Sequence, residues 1–165
     1  MAKDQSFDVV SHTDLQEVDN AVQQASKEVS QRYDLKDTGA RISLDKHVPS
    51  VTVSAPSDFV VGQVKDVLNS KLVRRGVDLK ALRWGKIEPA AGGNVRVDAT
   101  IVNGIETDLA RTINKGIRDE KFKVKVQIEG DKLRVSSPSR DTLQEVIAFL
   151  KDRDYGIPLQ FTNYR

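Results

Sequence analysis

The side chains in this sequence best suited to chemistry are arginines and lysines, and the chemistry they suit is the holding of phosphate. Lys71, Arg74, Arg75, Lys80, Arg83 and Lys86 fall in one short window with a single acid, Asp78. Arg111, Lys115, Arg118, Lys121, Lys123 and Lys125 form a second cluster, set against Asp119 and Glu120. A guanidinium is planar and always charged, and it grips phosphate oxygens through two parallel N–H donors. Solvated helix ends and polar sheet faces carry clusters of the same kind. The charge pattern therefore names a ligand class without locating a site.

Groups that make and break bonds are sparse. His12 stands beside a helix start and His47 in a loop, and neither has a second histidine at metal-ligand spacing. There is no Gly-x-Ser-x-Gly elbow, no phosphate loop and no Gly-x-Gly-x-x-Gly. Ser43-Leu44-Asp45-Lys46 matches Ser-x-x-Lys but lies in a predicted strand and turn. The chain has no cysteine, which excludes disulfides and thiolate metal sites. The expectation is a non-enzymatic protein with no catalytic residue, no metal and no cofactor.

The elements that must position those cations come from a repeat. Val53-Ser54-Ala55-Pro56-Ser57 and Val135-Ser136-Ser137-Pro138-Ser139 each close an alternating run and open an apolar pattern at helical spacing. Around the first copy, Phe7–Ser11 reads as a strand, and Thr13 and Gln16 as the capping box of a helix with Leu15, Val18, Val22, Ala25 and Val29 inward. Two strands follow, at 40–44 and 51–53. A second helix carries Val60, Val64, Val67, Leu68 and Leu72 and ends at Arg74-Arg75-Gly76. The stretch 79–88 supplies an edge strand ending at Pro89. Ala90-Ala91-Gly92-Gly93 reads as a linker.

The second copy opens on the alternation Val95–Ile101. Asn103 and Glu106 signal the cap of a helix carrying Ile105, Leu109, Ile113 and Ile117. Val124, Val126 and Ile128 alternate into a hairpin turn at Gly130-Asp131. Ser139 caps a last helix with Leu143, Val146, Ile147 and Leu150 inward, and 158–164 is the closing strand.

Each half thus reads βαββαβ. The predicted fold is α+β: two tandem ferredoxin-like α/β-sandwich units, residues 1–91 and 92–165, each an antiparallel sheet with two helices on one face. Periodicity leaves open whether the first and last strands are exchanged between halves. A cleft between like units is the first place to look for a site.

Composition limits the partners. The net charge is +2 and both halves are nearly balanced, unlike a bulk polyanion binder. No apolar run approaches the ~20 residues that span a bilayer, and the first residues lack the apolar stretch of a signal peptide. The expectation is a cytoplasmic protein with no membrane partner. RNA-recognition modules stack bases on sheet aromatics; here the middle strands offer only Phe122, while Trp84, Phe161 and Tyr164 remain as stacking candidates.

These pieces resemble the YajQ family of bacterial nucleotide-binding proteins over nearly the whole chain. The resemblance is carried by Ser6–Ser11, Asp14–Ala21, Lys71–Leu82, Gln127–Asp131, Arg134–Ser136, Ser139–Asp141 with Leu143-Gln144, and Leu159–Phe161 with Asn163–Arg165. Three positions depart from the family pattern, two of them in one stretch. Asp34-Leu35-Lys36-Asp37 stands where Asp-Phe-Lys-Gly is frequent, and Pro138 stands where Lys is usual. The resemblance implies tandem ferredoxin-like units, no established enzymatic activity, and a nucleotide partner: GTP or ATP, or a cyclic dinucleotide such as cyclic di-GMP. It also implies transfer RNA as a possible ligand.

Site expectations come from local chemistry. For a nucleotide receptor, Arg74, Arg75, Arg118, Arg134 and Arg140 would hold phosphates, with Phe161 and Arg165 on the closing strand as secondary candidates. The alternative is a protein touching tRNA or rRNA through both basic clusters. A third reading is an adaptor that meets a protein partner through an exposed sheet edge or face.

Overall fold

The computed structural model describes residues 3–165. Alternating polar and apolar residues form the strands and apolar residues at three- and four-residue steps form the helices. In chain order these are β1 (Gln5–Val10), α1 (Leu15–Gln31), β2 (Arg41–Asp45), β3 (Ser50–Ala55), α2 (Asp58–Arg74), β4 (Leu82–Trp84), β5 (Glu88–Pro89) and β6 (Val95–Ile101). There follow α3 (Thr107–Asp119), β7 (Lys125–Glu129), β8 (Lys132–Ser137), α4 (Arg140–Lys151) and β9 (Gln160–Thr162).

The fold is α+β, two ferredoxin-like units with antiparallel sheets, as the repeat predicts. The partition of the chain is different. One unit takes the residues up to His12 together with Asn103–Arg165, and the other is the continuous stretch Thr13–Val102. The linear split at residue 91 is therefore corrected. Of the two terminal strands whose placement the sequence leaves open, β1 crosses to the sheet of the other half and β9 stays with its own, while β6 joins the continuous unit. The first sheet runs β7-β8-β1-β9 and the second β2-β3-β6-β4, with β5 pairing β6.

In the continuous unit, Val51, Val53, Ala55, Val97, Ala99 and Ile101 point to one face and pack under Val18, Val22, Ala25, Val61, Val64 and Leu68 of the two helices. The other sheet face is polar, with Thr52 donating to Asp98 at 2.6 Å and Arg96 to the same carboxylate at 3.1 Å. In the discontinuous unit, Phe7, Val9, Leu133 and Val135 of the sheet, Ile113 and Ile117 of α3, and Val146 and Leu150 of α4 are all buried.

Two of the four helix starts differ from the sequence reading and two follow it. Asp14, not Thr13, caps α1, accepting from the amides of Gln16 and Glu17, while Thr13 Oγ1 donates to the Val102 carbonyl. Glu106 precedes α3 without a side-chain cap, and Asn103 bonds the His12 ring instead. Ser57 and Ser139 cap α2 and α4 through Val60 N and Thr142 N, the local role their spacing indicates. The 79–88 stretch divides into a 3-10 turn at Leu79–Ala81 and the short strands β4 and β5.

Candidate functional site

The start of α4 places Arg140 where the sequence predicts a cation at a helix N-terminus. Ser139 Oγ accepts from Thr142 N at 3.2 Å. The amides of Arg140 and Asp141 have no acceptor among the described residues. Free first-turn amides and the helix dipole favour an anion here.

The end of the chain meets this helix start. Arg165 exchanges two backbone hydrogen bonds with Ser6 of β1, at 3.0 and 3.2 Å, which fixes the 163–165 segment against the sheet. Asn163 adopts a left-handed conformation (φ 56) and donates to Asp8 at 2.8 Å, turning the chain so that Tyr164 follows. Tyr164 leans on the buried Phe7 ring, centroids 6.3 Å apart, yet remains 62% exposed. Ser6, Arg140, Leu143, Gln144, Tyr164 and Arg165 line a concavity of about 300 Å³. Neither Arg140 nor Arg165 makes an ion pair among the described residues. Two free guanidinium groups, an open aromatic ring and a carboxamide thus line one recess at the start of α4.

The other sequence candidates are placed differently. Arg134 is tied to Asp8 at 3.1 Å and faces Glu129 at 3.6 Å. Arg75 follows the last turn of α2 and faces Glu17 at 3.7 Å. Arg118 is exposed in the last turn of α3, where it complements the helix dipole. Phe161 packs edge-on against Phe7 with Lys151 above its ring, a structural setting for an aromatic. Trp84 is half-buried with Lys65 4.6 Å from its ring centre.

Arg74 lies in the continuous unit and lines a trough of about 600 Å³ with Gln24, Lys27, Glu28, Gln31, Arg32 and Lys71. The sole acid of that lining, Glu28, holds Lys71 at 3.0 Å and Arg32 at 3.9 Å. Lys27 and Arg32 were absent from the sequence candidates. Their signal was the polar stripe Gln24, Lys27, Glu28, Gln31 on α1, which becomes a cationic wall only when α1 packs beside α2. Among the described residues no group of three His, Asp or Glu side chains is placed to hold a metal ion, and no helix is long and apolar enough to cross a membrane.

Residues 5–165 match the family model described as nucleotide-binding protein YajQ-like. The chain belongs to that family. Whole-length relatives agree. A nucleotide-binding protein of Desulfitobacterium hafniense is 50% identical over all of both chains. One from Desulforamulus reducens is 48% identical over 100% of this chain and 99% of its own. One from Bacillus cereus is 48% identical over the full length of both. Within this YajQ-like frame, the recess at α4 joins Arg140 and Arg165, which stand 25 positions apart in the chain, while Arg74 falls in a separate unit.

Proposed function

We propose that the protein is a non-enzymatic nucleotide receptor that binds a purine nucleotide or a cyclic dinucleotide in the recess formed by Arg140, Tyr164 and Arg165. The observation that carries this reading is the pairing of two ion-pair-free guanidiniums with an exposed aromatic around one concavity. Guanidiniums and the α4 amides take the phosphate oxygens. Tyr164 offers its ring to the base. Gln144, with both donor and acceptor, suits a base edge. The naming of its relatives as nucleotide-binding proteins supports the same class of ligand. Such a receptor holds its ligand without changing it and works in the cytoplasm, where nucleotide pools lie.

Isothermal titration against GTP, ATP and cyclic di-GMP tests the reading. Arg140→Ala and Arg165→Ala are each expected to weaken binding by about tenfold or more, the worth of a charge-assisted hydrogen bond. Tyr164→Ala removes the stacking ring, worth about 1–3 kcal/mol. The nucleotide recovered afterwards is expected to be unaltered. Saturable binding that ignores all three substitutions overturns the site.

The trough on α1 and α2 favours a second reading, an RNA-associated protein, because four of its lining residues are cations and its one acid is already paired. Binding of tRNA would then weaken steeply with salt and respond to Arg74→Ala rather than Arg140→Ala. A flat salt dependence excludes it.

A further inference from the structure

Strand β2 ends its sheet, with β3 as its partner on one side only. An antiparallel edge strand leaves alternate N–H and C=O groups facing outward unpaired. Among the described residues no backbone hydrogen bond from outside the sheet reaches Arg41–Asp45. Natural edges are usually short or guarded by charge. Here Asp45, the acid on β2, is engaged elsewhere, accepting from the amides of His47 at 2.8 Å and Val48 at 3.2 Å.

A recess of about 300 Å³ opens beside this edge, between the C-terminal half of α1 and the start of β2. Val29, Leu35 and Ile42 give it an apolar floor, Val29 and Leu35 being buried. Its charged lining is Lys36 and Arg41, both exposed, with no acid. Arg41 makes no ion pair among the described residues. The volume suits one branched aliphatic or aromatic side chain, and the rim is complementary to carboxylates.

We propose that the free edge of β2 takes up an extended acidic peptide as an added strand, with one apolar side chain in the recess and flanking carboxylates at Lys36 and Arg41. Main-chain hydrogen bonds supply affinity and the recess supplies selectivity, as in other strand-addition interfaces. The partner is thus a protein carrying an alternating acidic and apolar segment.

The probe is a fluorescein-labelled peptide, acetyl-Glu-Val-Glu-Val-Glu-amide, titrated by anisotropy against the full chain, with amide hydrogen exchange read by NMR. Saturable binding is expected, with slowed exchange at alternate residues of Arg41–Asp45. Methylating alternate peptide nitrogens, replacing Glu by Lys in the peptide, and Arg41→Glu in the protein are each expected to weaken binding about tenfold. Ser26→Leu, which fills the recess from an α1 position, is expected to do the same while leaving the circular dichroism and the nucleotide titration unchanged. Undiminished binding of the methylated peptide, tighter binding of the lysine peptide, or protection outside β2 overturns the proposal. So does absence of binding by both this peptide and every clone of a displayed random-peptide library.

Discussion

Asp8 is 3% exposed in β1, and it survives there as a carboxylate because three side chains converge on it. Burial raises its pKa, but hydrogen bonds from Asn163, Arg134 and Lys132, at 2.8, 3.1 and 3.2 Å, outweigh burial and hold it below the usual carboxylate value. A depressed folded pKa means stability that is present above the unfolded value and lost as pH falls through the folded one. Asp8→Asn is expected to cost about 2 kcal/mol in urea unfolding at pH 7, the range for hydrogen bonds to charged groups. The variant is also expected to lose less stability than the natural protein between neutral pH and the region below about pH 4. Equal acid sensitivity in the two proteins would show that Asp8 does not carry this linkage. The same pairing commits the Arg134 guanidinium to Asp8 and Glu129. Its alternation in the sequence marked it as outward-facing, but its partner lies 126 residues away. Arg140 makes no ion pair among the described residues and keeps its donors.

At the scale of elements, the connection from β6 to α3 depends on Gly104. Its φ is +99, and an added Cβ would stand 2.6 Å from Asp131 Oδ2. Its amide donates to Ser11 at the end of β1, and the next amide, of Ile105, donates to Asp131 in the β7–β8 turn. One residue thus joins three elements, and both its conformation and its neighbours exclude a side chain. Gly104→Ala is expected to destabilise the protein by about 2 kcal/mol or more, combining left-handed strain with a steric clash, as a shift in the urea midpoint shows. Gly130→Ala in the neighbouring hairpin (φ +61), where an added Cβ would meet no described atom beyond its chain neighbours within 4 Å, separates the two causes and is expected to cost only the strain. Helix faces and hairpin turns of this kind were legible in the sequence because they depend on residues a few positions apart. The caps were less so. Thr13 and Asp14 are both good cap residues, and the choice fell to Asp14 because Val102 recruits the Thr13 hydroxyl from 89 positions away.

For the whole molecule, the connectivity makes one unit continuous and the other split. All the strands of the β2-β3-β6-β4 sheet, both of its helices and every residue of its buried core lie within Thr13–Val102. A fragment of residues 13–102 is therefore expected to fold by itself, with helical circular dichroism and a cooperative urea transition. A fragment of residues 1–91 lacks β6, which pairs β3, β4 and β5 and is central to that sheet. It is expected to remain unfolded or to aggregate through the exposed edges of β3 and β4. Cooperative folding of the 1–91 fragment would contradict the strand exchange.

The amino-acid sequence by itself determined the elements, their buried faces, the doubled βαββαβ plan and membership of the YajQ-like family, because periodicity, turn chemistry and motif order are properties of neighbouring residues. Only the tertiary structure decided which sheet each strand joins. β1 and β6 present the same alternation, so either fits either sheet locally, and the choice rests on pairings such as Phe7 with Val135 and Val97 with Val53. Only the tertiary structure, too, decided which arginines are free. A guanidinium reads the same in any chain, and its availability depends on carboxylates that folding brings from far along the chain.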